Sequence, residues 1–339
     1  MFNFKNDYNC LCHENILIAL TKCVDEVNEV YGNDKHCENA KNIIKNLLNN
    51  DSVDIHFLVG GTLVNKTVIS HTLRPYEAVI SATTGHINVH ETGAIEAMGH
   101  KVLTIPSYDG KIKIEDIEKC INTHIDEHMV LPKMVYISNS TETGSVYTRE
   151  ELKELYEYCR SKGLYLFVDG ARLGCALATD LISLDDLAKY SDVFYIGGAK
   201  NGALLGEAIV IVNDELKPLF RYSIKQNGGM YSKGYVAGIQ FEELFKDGLY
   251  LQLAKASNST AMYLYNELIK RGVKFQSPCI TNQIFPIFSN EIYLKLKDIA
   301  MFEMWEDLGD EKVVRFVCSF KTTYEEINEF MKELEQILL

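Results

Sequence analysis

Short apolar runs alternate with longer stretches of helical spacing through the first two thirds of the chain. Strand-like runs fall at His56–Gly60, Ala78–Ser81, Lys101–Ile105, Lys133–Ser138, Leu164–Val168, Val193–Ile196 and Ala208–Val212. Val64–Thr72 has the spacing of a helix. Thr148-Arg-Glu-Glu151 reads as a capping box, in which hydroxyl and carboxylate each satisfy a backbone N–H that the first helical turn leaves open. Leu152, Leu155, Tyr156 and Cys159 then share one face, and Gly163 stops that helix. Such alternation predicts an α/β fold with a mostly parallel sheet covered by helices. Beyond about residue 245 the pattern changes. A long helix through Leu251–Lys270 leads to strands near Val273–Gln276, Gln283–Phe288, Ala300–Trp305 and Val313–Cys318. A closing helix follows, capped by Thr323 and Glu326, with Ile327, Phe330, Met331, Leu334 and Leu338 as its buried stripe. Two domains are expected, residues 1–245 and a small α+β domain over 246–339.

Composition narrows the function classes. A net charge of −13 offers no basic stripe for nucleic acid and disfavours an anionic membrane surface. Nine scattered cysteines, often among apolar neighbours, look like reduced core thiols, so a cytoplasmic location is expected. Cys10, Cys12 and His13 have ligand chemistry, but no second cluster follows at zinc-site spacing and no metal is expected. No apolar run reaches the roughly 18 residues of a membrane span, and the first ten residues lack the layout of a signal peptide.

The chemistry concentrates between residues 165 and 206. Asp169 ends one apolar strand, and Lys200 follows the end of another, among Gly197, Gly198, Ala199, Gly202 and Ala203. Pyridoxal phosphate needs this pair: a carboxylate that keeps the pyridine nitrogen protonated, and a lysine that holds the aldehyde as a Schiff base. Taken singly, each residue also has an ordinary reading, Asp-Gly as a turn and the lysine as a surface charge. Gly60-Gly61-Thr62, between a strand and a helix, offers N–H groups and a hydroxyl to a phosphate, and is equally a tight turn with a capping threonine. It is no Walker loop, and no GxGxxG follows a strand. His86 has the side chain to stack on a ring and exchange protons, or to sit at the surface as nearby His90 does. Arg172 and Arg315 are candidate grips for a substrate carboxylate, or structural ion pairs.

Together these residues resemble the L-threonine aldolase family, a β-eliminating-lyase branch of fold-type I pyridoxal-phosphate enzymes. The resemblance runs through NDYN and YGND, GGTLVN, GHINVHETGAIEAMGHKV, FVDGARLGCAL, the lysine segment and RFVCSFKTT. It implies a fold-type I transferase-like architecture and retro-aldol cleavage of a β-hydroxy-α-amino acid to glycine and an aldehyde. It further implies Lys200 as the Schiff-base lysine, Asp169 at the pyridinium, and Arg172 beside the cofactor hydroxyl and substrate carboxylate. His86 is then the stacking residue and Glu91 orients it. Gly61 and Thr62 take the phosphate, Arg315 takes the substrate carboxylate, and Asn6 stands where the family has a serine. A homodimer or homotetramer with shared active sites is implied.

Three positions depart from that pattern. Ser138, Asn139, Ser140 and Thr141 replace a run that ends in a second histidine, Ala199 stands where serine is common, and QNGGMYSK lacks a phosphate-binding arginine. Tyr231, Lys233 and Lys225 are the candidates to replace that arginine. These departures keep two alternatives in view: β-elimination or transamination on the same scaffold, and a non-catalytic interaction protein.

Overall fold

Seven strands build the central sheet, in the order Asp54–Leu58, Glu207–Ile211, Val193–Gly197, Tyr165–Asp169, Leu131–Ser138, Glu77–Ala82 and Val102–Ile105. The computed structural model describes residues 1–338; Leu339, the last residue of the expected C-terminal domain, lies outside the described residues. Glu207–Ile211 runs antiparallel to both of its neighbours, and the other six strands are parallel to one another. Six carboxyl ends therefore share one edge with the first residue of the reversed strand. Glu77–Ala82, Val193–Gly197 and Glu207–Ile211 are buried along their whole length, as strands covered on both faces must be.

Alternation along each strand sorts side chains into two apolar layers. Ile80, Val135, Val168, Phe194 and Val210 pack on one face. Val79, Met134, Tyr136, Phe167, Tyr195 and Ile209 pack on the other. The predicted capping box at Thr148 and Glu151 is present in full and opens the helix Arg149–Ser161. A third apolar layer joins Ala261, Leu264, Phe288, Phe316, Ile327 and Phe330 with Phe4 from the chain's start. Phe2–Asn3 pairs in parallel with Ala300–Met301, so the first residues lie against the C-terminal layer.

Two helices, Glu14–Lys22 and Lys35–Leu48, have no counterpart among the predicted elements. Cys37, Ala40, Ile44 and Leu48 carry a helical stripe that packs on the helix Tyr235–Lys246, and Asp34 caps the second helix through the Cys37 N–H. The expected strand over Gln283–Phe288 is two pieces, Gln283–Ile284 and Pro286–Ser289, which pair antiparallel with different parts of Glu311–Val317.

Candidate active site

Asp169 closes its strand at the common edge and is 3% exposed. Tyr136 and Tyr195 lie on the strands to either side, on the same face, and both hydroxyls donate to it at 2.5 Å. The Ala171 N–H donates at 2.9 Å and the Asn65 amide at 3.1 Å. Burial pushes this carboxyl up, but the His86 charge and the tyrosine hydrogen bonds outweigh burial and hold it below the ordinary aspartate value.

The Asn65 amide also donates to Glu91 Oε1 at 2.7 Å, and that oxygen accepts from His86 Nδ1 at 2.8 Å. His86, Glu91, Asn65 and Asp169 thus form one chain of hydrogen bonds. With its Nδ1–H committed to a buried carboxylate, the imidazole presents Nε2 as its free nitrogen. Gly85 precedes His86, and a Cβ there would fall 2.1 Å from Ser81 Oγ, so the short helix His86–Val89 starts this close to the sheet only with glycine.

Lys200 follows Val193–Gly197, with its Nζ 5.8 Å from the Tyr8 ring centroid. Withdrawal from water and the Arg172 charge lower its basicity. The glycines before it serve close packing: neither Gly197 nor Gly198 has a positive φ, and added Cβ atoms would lie 2.4 Å from the Ala171 carbonyl and 2.6 Å from the Gly206 carbonyl.

Glu207, opposite Gly197 in the ladder, is 5% exposed and accepts the Gly198 N–H at 2.7 Å. Burial pushes its carboxyl up to about 8. An unfolded glutamate ionises near 4.5, so between these values the unfolded chain releases a proton that the folded chain keeps. This contribution to stability is complete below the lower value and is lost as pH rises to the upper one. Ligand-free Glu207→Gln is therefore expected to match the parent near about pH 5 and to melt above it near about pH 8. A melting difference that stays constant over that range refutes the assignment.

Arg172 forms a two-pronged ion pair with buried Asp7, at 2.7 and 3.0 Å, and Asn282 donates to the same carboxylate at 2.9 Å. Of its two sequence readings, the ion pair is present. Arg315 differs: its Nε is buried without a hydrogen-bond partner, and its guanidinium lies 5.3 Å over the Trp305 ring. Burial, then the Arg172 charge, lower its pKa. The Asn6 side chain accepts the Tyr8 N–H and so shapes the turn that carries Asp7 and Tyr8.

Gly61 and Thr62 open the helix Gly61–Thr72 at the same edge; Thr62 is exposed, and no side chain caps that turn. A Cβ on Gly61 would fall 2.9 Å from the Tyr195 hydroxyl. Thr141, at the departing position, is tied to Thr143, Ser145 and the Asp109 carbonyl. The neighbouring Glu142 is buried and accepts the His86 backbone N–H and the Ser138 hydroxyl, and burial pushes its carboxyl up. The Tyr231 hydroxyl is buried without a partner, Lys225 lies over the Tyr31 ring, and Lys233 is exposed.

The beta-eliminating lyase family model matches residues 23–290. A solved Leishmania major threonine aldolase superposes with a TM-score of 0.98, at 42% identity over all of both chains. The chain belongs to the threonine aldolase branch of the beta-eliminating lyases. A low specificity L-threonine aldolase of a Pseudomonas species is 29% identical over 98% of this chain and 96% of its own. A Clostridium acetobutylicum histidinol-phosphate aminotransferase, 16% identical over 100% and 99% of the chains with a TM-score of 0.75, shares the fold. The family and its fold-type I neighbours are pyridoxal-phosphate enzymes.

Against this threonine aldolase fold, several site residues have no sequence assignment: Asn65, Asp7, Tyr136, Tyr195, Glu142 and Glu207. One signal was available for Asn65, a polar residue between Val64 and Val68 on the apolar face of a helix. No described helix is long and apolar enough to cross a membrane.

Proposed function

We propose that this chain cleaves a β-hydroxy-α-amino acid of threonine type to glycine and an aldehyde, with pyridoxal phosphate as its cofactor. The observation that carries the reading is Asp169 and Lys200 on one sheet edge, the first an anion shielded from water and the second an amine of lowered basicity. The residues present fit the cofactor. Lys200 would hold its aldehyde and Asp169 its ring nitrogen. Gly61 and Thr62 would hold its phosphate, with His86 over the ring and Arg172 beside it. When bound, the cofactor supplies an electron sink for the bond broken at the substrate α-carbon.

The chain's own groups do the rest. Asp169 accepts four donors, two of them tyrosine hydroxyls that rotate freely; a tyrosine turned away would leave an acceptor site on this carboxylate for the cofactor's ring nitrogen. Lowered basicity leaves more of Lys200 as the neutral nucleophile. Arg315, lacking a partner on Nε, grips the substrate carboxylate through its planar fork. With Thr141 locked in its hydroxyl cluster, Nε2 of His86 receives the proton of the substrate hydroxyl.

Product analysis on threonine, phenylserine and cysteine tests the reading: glycine and an aldehyde are expected from the first two. Keto acid without glycine overturns it in favour of elimination or transamination. In Arg315→Gln, KM for threonine is expected to rise on the order of 10²-fold, about 3 kcal/mol, with kcat affected less. An unchanged KM removes Arg315 from substrate binding.

We also assign the chain to the cytoplasm, in keeping with nine free cysteines, and divide it into domains 1–245 and 246–339 around the seven-stranded and the five-stranded sheet. A homodimer or homotetramer is part of the reading. Val59 beside the phosphate turn is exposed, as are Leu219 and Tyr222 at the start of the helix Phe220–Gln226, which packs on Gly61–Thr72, and they supply apolar surface for a second copy. A monomeric mass in solution at micromolar concentration contradicts it.

A further inference from the structure

Apart from that site, one group of side chains among the described residues places thiol, imidazole and carboxylate together. Cys23 ends the helix Glu14–Lys22, Glu26 follows in the loop, and His36 lies in the first turn of Lys35–Leu48. His36 Nε2 is 2.8 Å from Glu26 Oε2 and 3.7 Å from Cys23 Sγ, and the three donor atoms all lie within 4.8 Å of one another. On the other side of the ring, Nδ1 is 2.8 Å from Glu242 Oε2, which comes from the helix Tyr235–Lys246. Both ring nitrogens face carboxylate oxygens, and Nε2 also faces the thiol sulfur. Two carboxylates thus enclose a place that calls for positive charge, with a thiol at its side.

We propose that Cys23, Glu26 and His36 bind a zinc ion, with Glu242 as the outer carboxylate that orients His36. Ligands at tetrahedral zinc stand roughly 3.3–3.6 Å apart, as bond lengths of about 2.0–2.3 Å require. The sulfur–nitrogen spacing of 3.7 Å lies about 0.1 Å beyond this range, and Glu26 has to withdraw from His36 by about half an ångström. Zinc takes the place of the hydrogen on Cys23 Sγ and of the one that His36 Nε2 directs at Glu26; both protons pass to solvent, and no electron moves. The Lys35 ammonium, 3.1 Å from Glu26 Oε2 on a 61% exposed side chain, is free to swing into water. A cavity of about 400 Å³ bordered by Asn15, Lys22, Cys23, His36 and Glu242 leaves a route in and room for water as the fourth ligand. The carboxylate on the far ring nitrogen is the arrangement that zinc-bound histidines use, since it fixes ring and tautomer. Such a site would tie the first helix, the loop and the second helix to Tyr235–Lys246.

The test titrates chelator-treated holoenzyme with Co²⁺, then competes with Zn²⁺. One equivalent is expected to give a thiolate-to-cobalt charge-transfer band that Zn²⁺ abolishes. The band should vanish in Cys23→Ser, and Glu242→Gln should weaken binding about tenfold or more. Basal activity should survive in both, because neither residue belongs to the active site. No band from the parent protein overturns the proposal, as does a band that persists in Cys23→Ser, which would put cobalt on another thiol. Should Cys23→Ser fail to fold, an unchanged affinity in Glu242→Gln decides against it.

Discussion

Lys200→Ala is expected to emerge from gel filtration without visible cofactor absorbance and to lose on the order of 10⁴-fold or more of the parent's aldolase rate. The lysine is the group at this edge positioned to tether an aldehyde, and its amine is primed for it by removal from water and by the Arg172 charge. Loss is expected in both observables because one amine serves both: without it the cofactor is held by its phosphate and ring nitrogen alone. The fold should persist. Alanine removes a half-buried cation whose basicity the site already disfavours, so the melting temperature of the ligand-free protein should hold or rise. A coloured Lys200→Ala protein with near-parental turnover removes the lysine from the chemistry and the proposed function with it.

Asp169→Asn should cost on the order of 10²–10³-fold in kcat even at saturating cofactor, as removal of a preorganised charge does elsewhere. A second effect follows from the donor set. Tyr195 and the Ala171 N–H address one carboxylate oxygen, and Tyr136 and the Asn65 amide address the other. An asparagine oxygen can keep one of these pairs; its NH₂ then meets two donors in a site 3% exposed. The resulting unmet hydrogen bond is expected to cost about 1–3 kcal/mol of stability. Both readouts are needed, since a destabilised but fully active Asp169→Asn protein would make this carboxylate structural. Asn65→Ala separates them further: it removes one donor from Asp169 and one from Glu91, loosening His86 while leaving the charge.

Much of this fold and site is legible in the sequence. Thr148 and Glu151 signal a helix start because a capping box needs only local partners. The buried strands are legible because a sheet covered on both faces leaves continuous apolar runs. Asp169 and Lys200 stand out since each follows such a run, Arg172 and Arg315 since a guanidinium matches a carboxylate, and the family resemblance adds Glu91 and Asn6. Asp7 is different. It engages Arg172 across 165 positions of sequence, and nothing in NDYN marks it as the partner. Glu207 is similar: an acid at a strand start is unremarkable until the strand proves to run backwards, which brings its first residue to the edge where the others end. The split of Gln283–Phe288 likewise depends on which parts of Glu311–Val317 it meets.

By itself the sequence determined the chemistry available to this protein: the alternation that makes an α/β sheet, the lysine and aspartate at strand ends, an acidic surface and scattered thiols. The tertiary structure decided which groups meet. It set the strand order that puts Tyr136 and Tyr195 on either side of Asp169, ran Asn65 between Glu91 and that carboxylate, and used Asp7 to occupy Arg172 while Arg315 kept an open Nε. The physical reason is range. Periodicity, caps and turns act within a few residues, whereas strand order and ion-pair choice are settled by burial and electrostatics over the whole folded chain, where one reversed strand changes every neighbour at the edge.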